Sequence, residues 1–286
     1  MSEGQRVIKY ISIAFAIFLA VNIITGIIYA VLAGFSIFGF FSDFVSEGSG
    51  AISINSNNRY TFSETYENVE NLTIECSVSR LVIKEGTELK VEAKNVDSNF
   101  SSKISGSTLK VREENRFLWF NSGDITSEII VYIPSNMNFG TVKISTGAGE
   151  VLISDIIMDR LKLDLGAGNV EISNIVVDED TNINGGVGRV AIKESALTRL
   201  DLNAGVGNIE VSAKILGNTD INAGVGKLEL NILGNKDEYK IKAKKGIGTF
   251  TIEGTSVSDN TTYGDGDNKI NIDAGLGEVR VQFENI

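Results

Sequence analysis

The chain has 286 residues, 42% of them apolar, enough to bury a core, and 30 glycines stand against a single proline, Pro134. It has no histidine and one cysteine, Cys76, which removes the commonest neutral-pH base and zinc ligand and excludes an internal disulfide or a thiolate metal cluster. A net charge of −11 argues against nucleic acid, and against an anionic lipid surface, as a partner of the folded part.

The first element is a run of 31 uncharged residues from Ile11 to Phe41, "ISIAFAIFLAVNIITGIIYAVLAGFSIFGFF". About 20 apolar residues span a bilayer core, so the run predicts one N-terminal transmembrane α-helix over 11–41. Phe35, Phe38, Phe40, Phe41 and Phe44 would sit at the interface. Arg6 and Lys9 precede the run while Asp43 and Glu47 follow it, which places the tail 1–10 in the cytoplasm and the rest outside. The competing reading is a cleaved signal peptide ending near Val31 and Ala33, but a signal core is about 7–15 residues, half this length. Residues 42–68, rich in Ser, Asn and Glu, read as a polar spacer.

From residue 69 onward the chain repeats. Gly-x-Gly recurs with first glycines at Gly147, Gly166, Gly186, Gly205, Gly224, Gly246 and Gly275, in steps of 19, 20, 19, 19, 22 and 29. Three residues before each first glycine stand Ile144, Leu163, Ile183, Leu202, Ile221, Ala243 and Ile272. Four and six residues after it come Val151 and Ile153, Val170 and Ile172, Ile209 and Val211, Leu228 and Leu230, with equivalents in the other copies. Polar residues fill the places between, which is the period-two pattern of half-buried strands. The residue between the glycines is also apolar in every copy, from Ala148 and Ala167 to Val187, Val206, Val225, Ile247 and Leu276. Parity puts it inside too, so an Asp at Val206 is expected to break the fold. The glycines then act as corners between two strands per coil.

A 19–20-residue unit cannot bury its apolar face alone, so the units must stack. The expected fold is all-β, a parallel β-helix or solenoid over 69–286. Aligning Ser77 with the first glycine extends it backwards, with Leu72, Ile74, Val78, Leu81 and Ile83 inward and Cys76 as a small buried residue. Residues 84–140 read as irregular coils, with "RFLWFNSGD" as an excursion.

The succession "ETYENVENLTIECSVSRLVIKEGTELKVEAKN", "VYIPSNMNFGTVKISTGAGEVLISDI" and the Gly-x-Gly copies resembles the bacterial "putative adhesin" family of unknown function, over roughly residues 64–286. The resemblance implies membrane-anchored β-strand-repeat proteins whose LiaG-like members are associated with cell-envelope stress systems. It supplies no catalytic residues.

Four candidate sites each have a plainer reading. A phosphate loop needs a helix after its glycines, whereas each pair here precedes a strand, so no nucleotide site is expected. "YGDGDNKINID" holds Gly264, Asp265, Gly266 and Asp267 in an order close to a calcium-binding nonapeptide, but in one copy only, which favours a turn. Asn184, Asn203 and Asn222, with Asp164 and Asp273, share one repeat position and predict a hydrogen-bonded ladder. Glu171, Glu210 and Glu229 share an outward position near Arg189 and Lys227, as a solvated mixed surface would.

No catalytic, cofactor-binding or metal residue is assigned, and no cofactor is expected. The sequence favours a non-enzymatic surface, adhesin-like or scaffold module with a cell-wall or protein partner, with envelope stress as its setting. The alternative is a polysaccharide-active β-helix enzyme, which rests on fold analogy alone.

Overall fold

Alternation of apolar and polar residues becomes strand almost everywhere in the computed structural model, which describes residues 59–113 and 127–285. The tail 1–10, the anchor expected over 11–41 and the "RFLWFNSGD" excursion lie outside the described residues. Among the described residues eighteen strands run from β1 (Tyr60–Thr65) through β2 (Asn71–Gly86), β3 (Lys90–Val96), β4 (Ser101–Ser105), β5 (Thr108–Glu113) and β6 (Ser127–Pro134) to the long corner strands β7 (Asn138–Ser154) and β8 (Ile157–Ser173). β9 (Val176–Asn184) with β10 (Val187–Thr198), and β11 (Leu200–Asn203) with β12 (Val206–Leu216), each complete a coil, as β13 (Asn218–Leu233) does alone. The end of the chain forms β14 (Tyr239–Lys244), β15 (Ile247–Ile252), β16 (Thr255–Ser256), β17 (Thr261–Tyr263) and β18 (Asn268–Glu284). Strand β1 falls inside the stretch read as spacer and pairs antiparallel with β3.

Parallel ladders join β2 to β7, β7 to β8, β8 to β9 and β10, these to β11 and β12, and those to β13. The expected inward columns are the core: Ile144, Leu163, Leu202, Ile172, Val211 and Leu230 are all buried. Each middle coil also has a third inward stretch that two strands per coil did not anticipate. In β8 and β9 it is Ile175 and Val177, entered through Asn174 at φ 52°; Asp155 and Glu194 make the same left-handed bend one coil away on either side.

Chain order and spatial order part at both ends. β13 pairs with β18, and β18 pairs in turn with β14 and β15, so the last strand lies inside the coil made before it. At the other end β2 lies between β7 and the outer pair β5 and β6. Antiparallel partners then cover both outer coils, β4 on β5 and β3 on β6, β17 on β14 and β16 on β15. Open strand edges invite foreign pairing, and short hairpin partners shield these.

One sequence expectation is overturned. The residue between the glycines lies on the outer rim of the corner: Val206 is only half-buried, Leu276 is 45% exposed and Ile247 75%. The inward parity ends two residues earlier, at Leu165, Ala204, Ala223 and Ala274, which pack against the core; Val78, expected inward, lies on the same rim, level with Ala148. Val211→Asp should therefore destabilise by about 3–5 kcal/mol, as an uncompensated buried charge does, while Val206→Asp keeps its carboxylate hydrated and should melt within a few degrees of wild type. Paired thermal melts followed by circular dichroism check this.

Candidate functional site

The corners bring one feature to the surface that no single coil has. Adjacent coils approach so closely there that a Cβ on Gly166 would lie 1.9 Å from the Gly147 carbonyl oxygen, and one on Gly207 1.8 Å from that of Gly188. Gly207 also holds φ +149°, a backbone region that side chains rarely enter. Two glycine columns thus flank a raised row of side chains, one per coil. In register these run Val78, Ala148, Ala167, Val187, Val206, Val225, Leu276 and Ile247. With coils about 4.8 Å apart, eight residues make an apolar spine roughly 34 Å long. The two hollows beside it have volumes of about 20 and 30 Å³, room for a water or two rather than for a buried metabolite.

Polar ladders border the spine. On one side Asn222 donates to Asn203 at 2.7 Å, Asn203 to Asn184 at 3.2 Å, and Asn184 to Asp164 at 2.8 Å, along the stack axis as the shared repeat position predicts. Asp273 lies level with Asn222 and pairs with Lys244. On the other side Glu210 and Glu229 are cross-strand neighbours, but each carboxylate has a cation. Arg189 reaches Glu210 at 3.0 Å, Lys227 and Arg280 reach Glu229 at 2.7 and 3.2 Å, and Lys193 reaches Glu171 at 3.2 Å. These are mixed surface ladders, not a convergent acid pair. Asp265 and Asp267 are exposed on the turn from β17 to β18, where the Gly266 N–H donates to the Tyr239 carbonyl. Among the described residues no three acidic or cysteine side chains come together as metal ligands would.

Sequence reasoning missed a buried polar group at the first coils. Glu113 ends β5 level with Cys76, Ser127 begins β6 level with Ser79, and the Ser127 hydroxyl donates to the Glu113 carboxyl. Burial pushes the Cys76 thiol up to about 11, the Ser79 hydrogen bond opposes this and the Glu113 charge adds to it, so the group stays a protonated, unreactive thiol. Burial also raises the Glu113 carboxyl above its ordinary value, against the Ser127 hydrogen bond. The folded state therefore holds this proton more tightly than the unfolded chain. Its stabilising contribution is complete below the unfolded value and fades as pH rises through the folded one. Glu113→Gln, which keeps an acceptor for Ser127, should flatten that decline and raise the melting temperature at neutral pH relative to wild type. Melts of both proteins from mildly acidic to neutral pH give the difference.

The family profile described as Toastrack DUF4097 matches residues 69–281. No curated protein matches the chain. Among solved structures, a "putative cell adhesion protein" of Clostridium sporogenes is 18% identical over 79% of this chain and 100% of its own, with a TM-score of 0.38. A "putative adhesin" of Bacteroides fragilis is 15% identical over 79% and 97%, with a TM-score of 0.42. A "putative lipid binding protein" of Parabacteroides distasonis is 14% identical over 79% and 97%, with a TM-score of 0.30.

Proposed function

We propose, from the premise that this chain belongs to the Toastrack DUF4097 family, that it is a non-enzymatic recognition module of the cell envelope. In this proposal residues 11–41 anchor it in the membrane, the solenoid stands outside, and the spine is its contact surface. The observation that carries the reading is the spine itself: half-exposed aliphatic side chains in a continuous row, flanked by two glycine columns at every level from Ala148 to Ile247. Extended apolar patches rimmed by polar residues mark interaction surfaces. A rigid row of side chains at a 4.8 Å repeat suits an extended partner better than a small molecule. An accessory role beside an envelope-stress system is the setting we favour, with the solenoid receiving its partner outside the membrane.

The polysaccharide-active alternative needs a groove with convergent carboxylates and a general acid held above its ordinary range. The outward Glu171, Glu210 and Glu229 lie on flat strand faces beside cations, which supports recognition over catalysis.

The test uses the full chain in intact cells. A photo-crosslinker at residue 206 should capture a discrete partner, the capture should vanish with Val187→Asp plus Val225→Asp, and a crosslinker at the exposed position 214 should not reproduce it. A membrane-impermeant label should reach residue 206 before lysis. Equal capture at 206 and 214, or labelling only after lysis, would refute the reading.

A further inference from the structure

We propose that the cap end of the spine is a docking surface for an anionic lipid bilayer, a deeper assignment of the spine that rests on the reading above. Beyond Val78 at the far end, the spine side chains grow in spatial order from Ala148: Ala148, Ala167, Val187, Val206, Val225, Leu276, Ile247. Because β18 lies inside β14 and β15, Ile247 rather than Leu276 is the outermost of them. The row ends on Leu276 and Ile247, adjacent in register, and Ile247 is the most exposed large aliphatic side chain among the described residues.

Lysines gather at this same end. Strand β14 alternates buried Tyr239, Ile241 and Ala243 with outward Lys240, Lys242 and Lys244. Lys269 lies level with Lys240, and Lys245 is two residues before Ile247. Lys244 is held by Asp273 at 2.5 Å. Lys240, Lys242, Lys245 and Lys269 have no ion pair among the described residues, whereas Arg80, Arg189, Lys227 and Arg280 beside the spine are paired. Lys143, at the repeat position of Lys242, and Lys103 and Lys110, beside Ile104, also lack one, but in ones and twos rather than as a group of four. The nearby acids are Glu278, level with Thr249 and paired with Arg280 at 2.8 Å, and Asp273, paired with Lys244. Asp259 accepts from the Lys245 backbone N–H at 2.9 Å, and Asp237, Glu238, Asp265 and Asp267 lie around the start of β14 and the turn before β18.

Aliphatic tips beside cations that lack partners fit a surface offering anionic headgroups above acyl chains. A lysine near such a surface favours binding by about fivefold. The net charge of −11 opposes binding only when averaged over the chain. Asp220 lies two coils inward, about 10 Å away, beyond the roughly 8 Å screening length at physiological ionic strength. A second copy fits less well, since the patch would set lysines against lysines. Two aliphatic tips and a row of lysines also fall well short of the roughly 800 Å² per partner of a stable dimer. Reach is sufficient: the 17 residues 42–58 extend at most about 60 Å, against about 48 Å for the ten strand spacings from β1, through β3 and β6, to β14 and β15.

The experiment uses the full chain in vesicles with brominated phosphatidylcholine acyl chains, with and without phosphatidylglycerol. Cys76→Ala, matching Ala204 and Ala223 of other coils, leaves a single thiol for a fluorophore at Ile247→Cys, with Leu276→Cys as a second position and Lys214→Cys, exposed on a central coil, as control. Bromine should quench the label at 247 or 276 at least twofold more than at 214. Quenching should require phosphatidylglycerol and fall to the control level with Lys240→Glu, Lys242→Glu and Lys245→Glu together. No excess quenching, quenching that ignores phosphatidylglycerol or the lysines, or lipid-independent energy transfer between labelled chains would each overturn the proposal. If alkaline washing strips the chain from the vesicles while lipid-dependent quenching at 247 persists with vesicles in excess, the anchor falls and the patch stands.

Discussion

Removing residues 268–286 should unfold the C-terminal half of the solenoid, not merely shorten it. In a stack built in chain order, losing the final strand leaves every other level with its neighbours. Here β18 is the partner of β13 on one side and of β14 and β15 on the other. Its loss strands the outer coil with only β16 and β17 and opens a long parallel edge on β13. The strand also buries Ile270, Ile272, Val279 and Val281. Four such side chains contribute roughly 6–12 kcal/mol together, comparable with the whole stability of a typical domain, about 5–15 kcal/mol. The truncated protein should lose its cooperative thermal transition or melt more than about 15 °C lower. A truncation that melted within a few degrees of the parent would show that β18 is an end strand after all.

The second large effect is expected at a single atom. Gly207→Ala should destabilise by about 2–6 kcal/mol, adding about 1–3 for the backbone conformation to about 1–3 for overpacking. The new methyl would lie 1.8 Å from the Gly188 carbonyl oxygen, so coils must move apart at the corner. Gly234→Ala separates the two contributions, because Gly234 has φ +152° but its would-be Cβ meets nothing closer than the Tyr239 hydroxyl at 3.2 Å. That variant should lose only the backbone part. Chemical denaturation of both measures the difference, and equal losses would mean that close approach does not matter at the corner.

Much of this fold was legible before any coordinates. A period of 19–20 residues fixed the stacking, and period-two alternation chose Ile172, Val211 and Leu230 as core. The order of the coils was not legible, because a repeat reports what each level looks like and not which level it touches. The long steps of 22 and 29 residues before Gly246 and Gly275 were the trace left in the sequence, the extra chain supplying β16, β17 and the turns that carry β18 back inward. Val206 was misassigned because alternation was carried past Ala204, where the corner interrupts it. The spine was therefore hidden by the same parity argument that found the core. The buried Glu113 left no signal, since its burial depends on β2 and β6 arriving from distant parts of the sequence. The Asn ladder could be read directly, because one repeat position on consecutive levels places side chains a hydrogen bond apart.

The exchanged end coils also restrict how such a molecule can change length over generations. A duplicated unit can enter only among the levels from β7 to β13, where sequence neighbours are also spatial neighbours. Added beyond β18, it would have to be threaded beneath a lid already in place. Relatives of different size should therefore differ by whole central units with both end assemblies preserved, each unit lengthening the ruler of exposed side chains by one notch.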